Sequence, residues 1–152
     1  MLVNVKLRVR LAAIGVCACF LFSWPAEPRE TIDVRVKQLI EKTHHQATEA
    51  DAFRDLEALG CPAVPAIIKN MDDRRLLPLR YIALQNKSPQ AFESLRQYGP
   101  ERGVDALAAI LNQVTGQHFG FIYNGASDVE RAKTVAGWRE YLAKTPAARL
   151  CQ

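Results

Sequence analysis

The segments Ala52–Gly60, AFRDLEALG, and Ala91–Gly99, AFESLRQYG, share alanine, phenylalanine, leucine and glycine at a spacing of 39 residues. Self-similarity at such a period is the signature of a repeat architecture. The correspondence continues across one inserted residue, where Val64, Ala66 and Ile67 fall opposite Val104, Ala106 and Leu107. In the first copy Phe53, Leu56 and Leu59 form an apolar stripe at helical spacing. Gly60 follows where a helix end needs left-handed backbone, and Pro62 suits the first turn of a second helix carrying Val64, Ile67, Ile68 and Met71. In the second copy Ser88 and Pro89 read as N-cap and first helical residue, Phe92 and Leu95 as the stripe, and Val104, Leu107, Ala108, Leu111 and Val114 as the partner face. Both copies predict helix, turn, helix.

Outward from the repeat, Ile32, Val36, Leu39 and Ile40 predict a helix before it, and Ala132, Val135, Ala136 and Leu142 predict one after it. Ser127 and Glu130 have the spacing of a capping box for that last helix. A short helix is expected from Pro78 to about Asn86, with Leu79, Ile82 and Ala83 on one face. Nothing past the N-terminal segment reads as a sheet, so the expectation is an all-α stack of antiparallel helix pairs.

The residues Leu56–Arg75, LEALGCPAVPAIIKNMDDRR, resemble a HEAT repeat, in which a helix ending at glycine precedes a helix ending at aspartate and then basic residues. The resemblance covers roughly residues 47–115. The stretch Thr115–Leu142, TGQHFGFIYNGASDVERAKTVAGWREYL, resembles the tail of bacterial exported HEAT-like proteins of unknown function. Pro78 and its neighbours depart from the pattern by lengthening the spacing between Asp73 and Arg80. The resemblance implies a short α-solenoid and, by analogy, a protein-binding or scaffolding role.

Residues 1–26 have a different character. Lys6, Arg8 and Arg10 precede the apolar run Leu11–Trp24 and a polar exit at Pro25–Pro28, the order of a secretory signal. The run falls short of the roughly 20 residues a membrane-spanning helix needs. Residues 1–26 are therefore read as a signal peptide, with an uncleaved membrane anchor as the alternative, and residues 27–152 as one HEAT-like helical domain. The expected location is the periplasm, or the outer face of a membrane to which only the N-terminal segment attaches. Three of the 20 basic residues precede the first acidic one, so the remainder nearly balance the 16 acidic residues. That balance offers no footprint for a phosphate backbone, and no nucleic acid is expected as partner.

After the leader only Cys61 and Cys151 remain, an even number for an oxidising compartment. A disulfide is one reading; two isolated thiols is the other, and the preferred one. His44 and His45 are neighbours, which on a helix point about 100° apart, and read as a solvated pair at a helix end. Asp72, Asp73, Arg74 and Arg75 read as solvating a turn. No phosphate loop, nucleotide fingerprint or nucleophile elbow is present, so no enzyme, cofactor or metal site is expected. The alternative is an envelope enzyme or metal-binding protein using His118 and Cys61. The most distinctive segment is residues 116–126, where Phe119, Phe121 and Tyr123 alternate in a glycine-punctuated loop. Phe119, Phe121, Tyr123 and Asn124 are the candidate contacts for a protein partner, with at least one ring exposed.

Overall fold

The structure is a computed structural model that describes residues 30–86 and 92–152. The leader assigned to residues 1–26 and the helix start at Ser88–Pro89 lie outside the described residues. Among the described residues there are five α-helices and one two-stranded antiparallel sheet. The expectation of an all-α solenoid is thereby corrected.

The helices follow the 3.6-residue spacing of their apolar positions. In α1 (Ile32–Lys42) Val36, Leu39 and Ile40 are buried, and Thr31 caps the first turn by accepting from the Val34 N–H. The next helix, α2 (Glu49–Ala58), buries Phe53 and Leu56 and leads through Gly60 into a 3-10 turn at Cys61–Ala63. Behind that turn, α3 (Val64–Lys69) buries Val64, Ile67 and Ile68, followed by Met71. The centre of the fold is α4 (Gly103–Thr115), which is buried from Gly103 to Asn112 and packs against α2, α3 and the sheet. Across it lies α5 (Asp128–Lys144), whose Ser127–Glu130 capping box is formed.

At the end of α4, Gly116 adopts φ +70° and its N–H donates to the Asn112 carbonyl over 2.8 Å. Nothing lies within 4 Å of where a Cβ would sit there. Gly116→Ala is therefore expected to cost about 1 kcal/mol from backbone strain alone. A chemical denaturation midpoint indistinguishable from the parent would contradict that.

The second repeat is where helix prediction fails. Ile82–Gln85 is a strand, β1, paired antiparallel to a second strand, β2 (Leu95–Tyr98), with Ile82 opposite Tyr98 and Gln85 opposite Leu95. Ile82 and Leu84 turn inward while Gln85 is exposed, a period of two. The aligned phenylalanines have opposite fates: Phe53 is 1 % exposed and Phe92 is fully exposed. Leu56 is buried where its counterpart Leu95 is half exposed. With α4 already covered by α2, α3 and α5, Leu95–Tyr98 form a strand on the surface, and what sequence similarity aligns, burial separates.

Candidate functional site

A groove of about 510 Å³ runs along β2. All four residues of the strand line one side, and Asn112, His118, Phe121 and Tyr123 line the other. Asn112 comes from the last turn of α4, and the rings come from the loop that follows it, so the groove exists because β2 and this loop both lie at the same end of the buried helix.

Two residues hold the loop in place. Phe119 packs edge-on to Trp138 with ring centroids 4.8 Å apart and touches Tyr141 at 5.6 Å. The absence of a side chain at Gly137 permits this, since a Cβ there would come within 2.7 Å of Phe119. Asn124 Oδ1 accepts from the Gly99 N–H over 2.7 Å, tying the loop to the end of β2. Phe119, which is partly buried, and Asn124, which stays exposed, therefore both anchor the loop.

The remaining two rings have different surroundings. Tyr123 is buried, stacks edge-on to Tyr98 at 5.7 Å, and its hydroxyl lies 3.1 Å from His118 Nδ1. Asn112 Nδ2 lies 2.9 Å from His118 Nε2. Burial, reinforced by Tyr98, pushes the Tyr123 phenol up to about 12, so it stays neutral and keeps its proton to donate. Phe121 is 83 % exposed, with its ring 5.8 Å from His118 and 6.3 Å from Tyr123. A large ring held in water at the rim of an aromatic groove has the form of an interface anchor.

Tyr98, Leu95, Arg96 and Asn112 belong to this groove and were not among the residues expected from sequence. The alternation Ile82–Gln85, with Asn86, Ser88 and Pro89 separating it from a second short run, is the hairpin signal that points to them.

The other chemistry-bearing residues have structural partners. Cys61 and Cys151 are joined by a disulfide, with Cα atoms 6.0 Å apart. Cys61 thus has no thiol to offer as nucleophile or ligand. Among the described residues no three His, Cys, Asp or Glu side chains are grouped to hold a metal ion, and no helix is long and apolar enough to cross a membrane.

His44 is not the solvated residue expected at the end of α1. Its Nε2 lies 2.8 Å from Asp73 Oδ2, and its side chain is mostly covered. Asp73 is likewise no solvated turn residue: it accepts from the Arg75 backbone N–H and guanidinium, and Arg75 reaches on to Glu41. Burial opposes the Asp73 carboxylate, but the hydrogen bonds from Arg75 and His44 together outweigh it and hold its pKa below the usual value. This cluster latches the end of α1 to the segment after α3.

No known protein family, characterised protein or solved structure matches the chain.

Proposed function

We propose that this protein is an exported binding module whose recognition surface is the aromatic groove between β2 and the loop after α4. The observation that carries the reading is Phe121. It is the most exposed ring of the loop, it stands beside a groove rather than on a flat surface, and the loop beneath it is fixed by Phe119 and Asn124. A side chain held ready in this way loses little entropy on binding. Export is supported by the order of residues 1–26 and by the disulfide, a bond that persists in oxidising compartments.

The variant Phe121→Ser tests the surface. An exposed ring contributes little to folding, so stability should change by no more than about 0.5 kcal/mol. Recovery of proteins that co-purify from an envelope extract should fall by about tenfold or more, the effect of losing an aromatic anchor. Unchanged recovery at unchanged melting temperature would remove Phe121 from recognition. A large drop in melting temperature would assign the ring to the fold instead.

A further inference from the structure

The two edges of the β1–β2 ladder differ. In an antiparallel pair, residues alternate between those whose backbone groups face the partner strand and those whose groups face away. The Asn86 N–H donates to the Ser94 carbonyl over 2.9 Å, so Ser94, Arg96 and Tyr98 are the residues turned toward β1. It follows that Gln85 on β1, and Leu95, Gln97 and Gly99 in and after β2, present their backbone groups outward. Two further bonds agree. The Gln85 N–H is taken by Glu57 Oε2 of α2 at 3.2 Å, and the Gly99 N–H by Asn124 Oδ1. The edge of β1 is thus covered by α2, and the edge of β2 is closed at Gly99 by the aromatic loop. Between that closure and the start of the strand, the outward backbone groups of Leu95 and Gln97 meet no partner among the described residues, and they lie along the groove.

An open strand edge bordering a groove calls for another strand. The groove limits which kind. Phe121 and Tyr123 line the groove together with β2, and its volume of about 510 Å³ suits a single extended segment rather than the sheet of a second folded copy. The strand's own side chains set the chemistry of the occupant. Arg96 and Tyr98 share one face, and residues directly opposite them on an added strand would share it too. Tyr98 stacks with Tyr123, so an apolar side chain belongs opposite it. Arg96 is exposed and in no ion pair among the described residues, so an acidic side chain belongs opposite it, two positions along.

We propose that the groove binds an extended, unpaired peptide segment by strand addition to β2, the segment carrying an apolar and an acidic residue two positions apart. This rests on the aromatic groove being the recognition surface and names what it recognises. The added strand takes up the free N–H and C=O groups of Leu95 and Gln97. Its apolar residue lies among Tyr98, Tyr123 and Phe121, and its acidic residue pairs with Arg96.

The probe is a set of fluorescein-labelled peptides of about six residues, the usual length of a strand. Each has a threonine and valine framework carrying phenylalanine and glutamate two positions apart, in both orders. Binding to the full exported chain is followed by fluorescence anisotropy. The informative variant is Gln97→Pro. Its N–H faces away from β1, so proline removes an open donor without breaking the ladder. Gln97→Pro should weaken binding by about tenfold or more, while Glu→Lys in the peptide should weaken it to a degree that added salt reduces. Should Gln97→Pro fail to fold, alternate N-methylation of the peptide asks the same question from the other side. Methylating the amides that face β2 should abolish binding, and methylating the other set should not. No binding by any peptide, equal binding by both methylated sets, or a dimer that Gln97→Pro converts to monomer would overturn the proposal. Loss of co-purifying proteins in Phe121→Ser alongside any of those results would leave the groove as a recognition surface but not for a strand. Unchanged recovery in Phe121→Ser would instead remove the reading on which it rests.

Discussion

Arg131→Met is expected to destabilise the protein by about 3–5 kcal/mol, the cost of stranding one member of a buried ion pair. Asp105 is fully buried, and Arg131 is 3 % exposed. The guanidinium meets the carboxylate in a bidentate pair, Nε to Oδ1 at 2.8 Å and Nη2 to Oδ2 at 2.9 Å. Hydrogen bonds to Asp105 above all hold Arg131 in its charged form. Asp105 also serves α4 as its N-terminal acceptor, taking the N–H groups of Glu101 and Arg102 at 3.2 and 3.1 Å. Methionine fills the aliphatic volume and removes the charge, which leaves a carboxylate in the core with backbone donors only. The second substitution identifies the cause. Asp105→Asn keeps an acceptor for the two N–H groups and abolishes the negative charge, so adding it to Arg131→Met should restore part of the lost stability. Urea denaturation of the single and double variants measures both numbers. A single variant within about 1 kcal/mol of the parent, or a double variant less stable than the single, would mean that the pair is not what joins α5 to α4.

The same arginine explains how α5 was read correctly as an element and incorrectly as a face. The apolar positions Ala132, Val135, Ala136 and Leu142 give a stripe at helical spacing, yet Ala132 and Ala136 are exposed. The buried stripe is Arg131, Thr134, Val135 and Trp138, rotated because its first member is charged and its second is polar. No rule based on hydrophobic periodicity places an arginine inside, and its partner lies 26 residues away in sequence. Where burial and hydrophobicity coincide, as in Val36, Leu39 and Ile40 of α1 or Ile67, Ile68 and Met71 at α3, helix and face were both legible. They part company again in the second repeat. Leu95 keeps the spacing of Leu56, but the helix it implies would need a core surface that α4 no longer offers. The groove was half legible for the same reason. Phe121 and Tyr123 announce themselves as aromatics among glycines, while Tyr98 and Arg96 were hidden inside a false helix, and the anchoring roles of Phe119 and Asn124 depend on Trp138 and Gly99, distant contacts that no local pattern encodes.

The disulfide overturns the preferred sequence reading of two isolated thiols, although the even pair of cysteines behind an N-terminus that reads as an export signal had left the bond as the other reading. The bond closes a loop with a sequence separation of 90 residues, from the turn before α3 to the C-terminal tail. Loop closure of that length restricts the unfolded chain far more than the folded one, and the double variant Cys61→Ser, Cys151→Ser should lose about 4.6 kcal/mol on the chain-entropy account. The folded end it secures is small: Leu150 is buried, and Tyr141 donates its hydroxyl proton to the Leu150 carbonyl over 2.8 Å. Local contacts of that size cannot by themselves produce so large a loss, so the effect separates loop closure from packing. Reducing the wild-type protein should lower its midpoint to that of the double variant and should leave the double variant unmoved. The bond also reports on compartment. Protein produced with residues 1–26 in place should carry no free thiol among Cys61 and Cys151, whereas protein produced without them should accumulate in the reducing cytoplasm with both thiols free and with the lower stability. Two free thiols in the chain made with residues 1–26 in place would count against both the pairing and the export on which the proposed function relies.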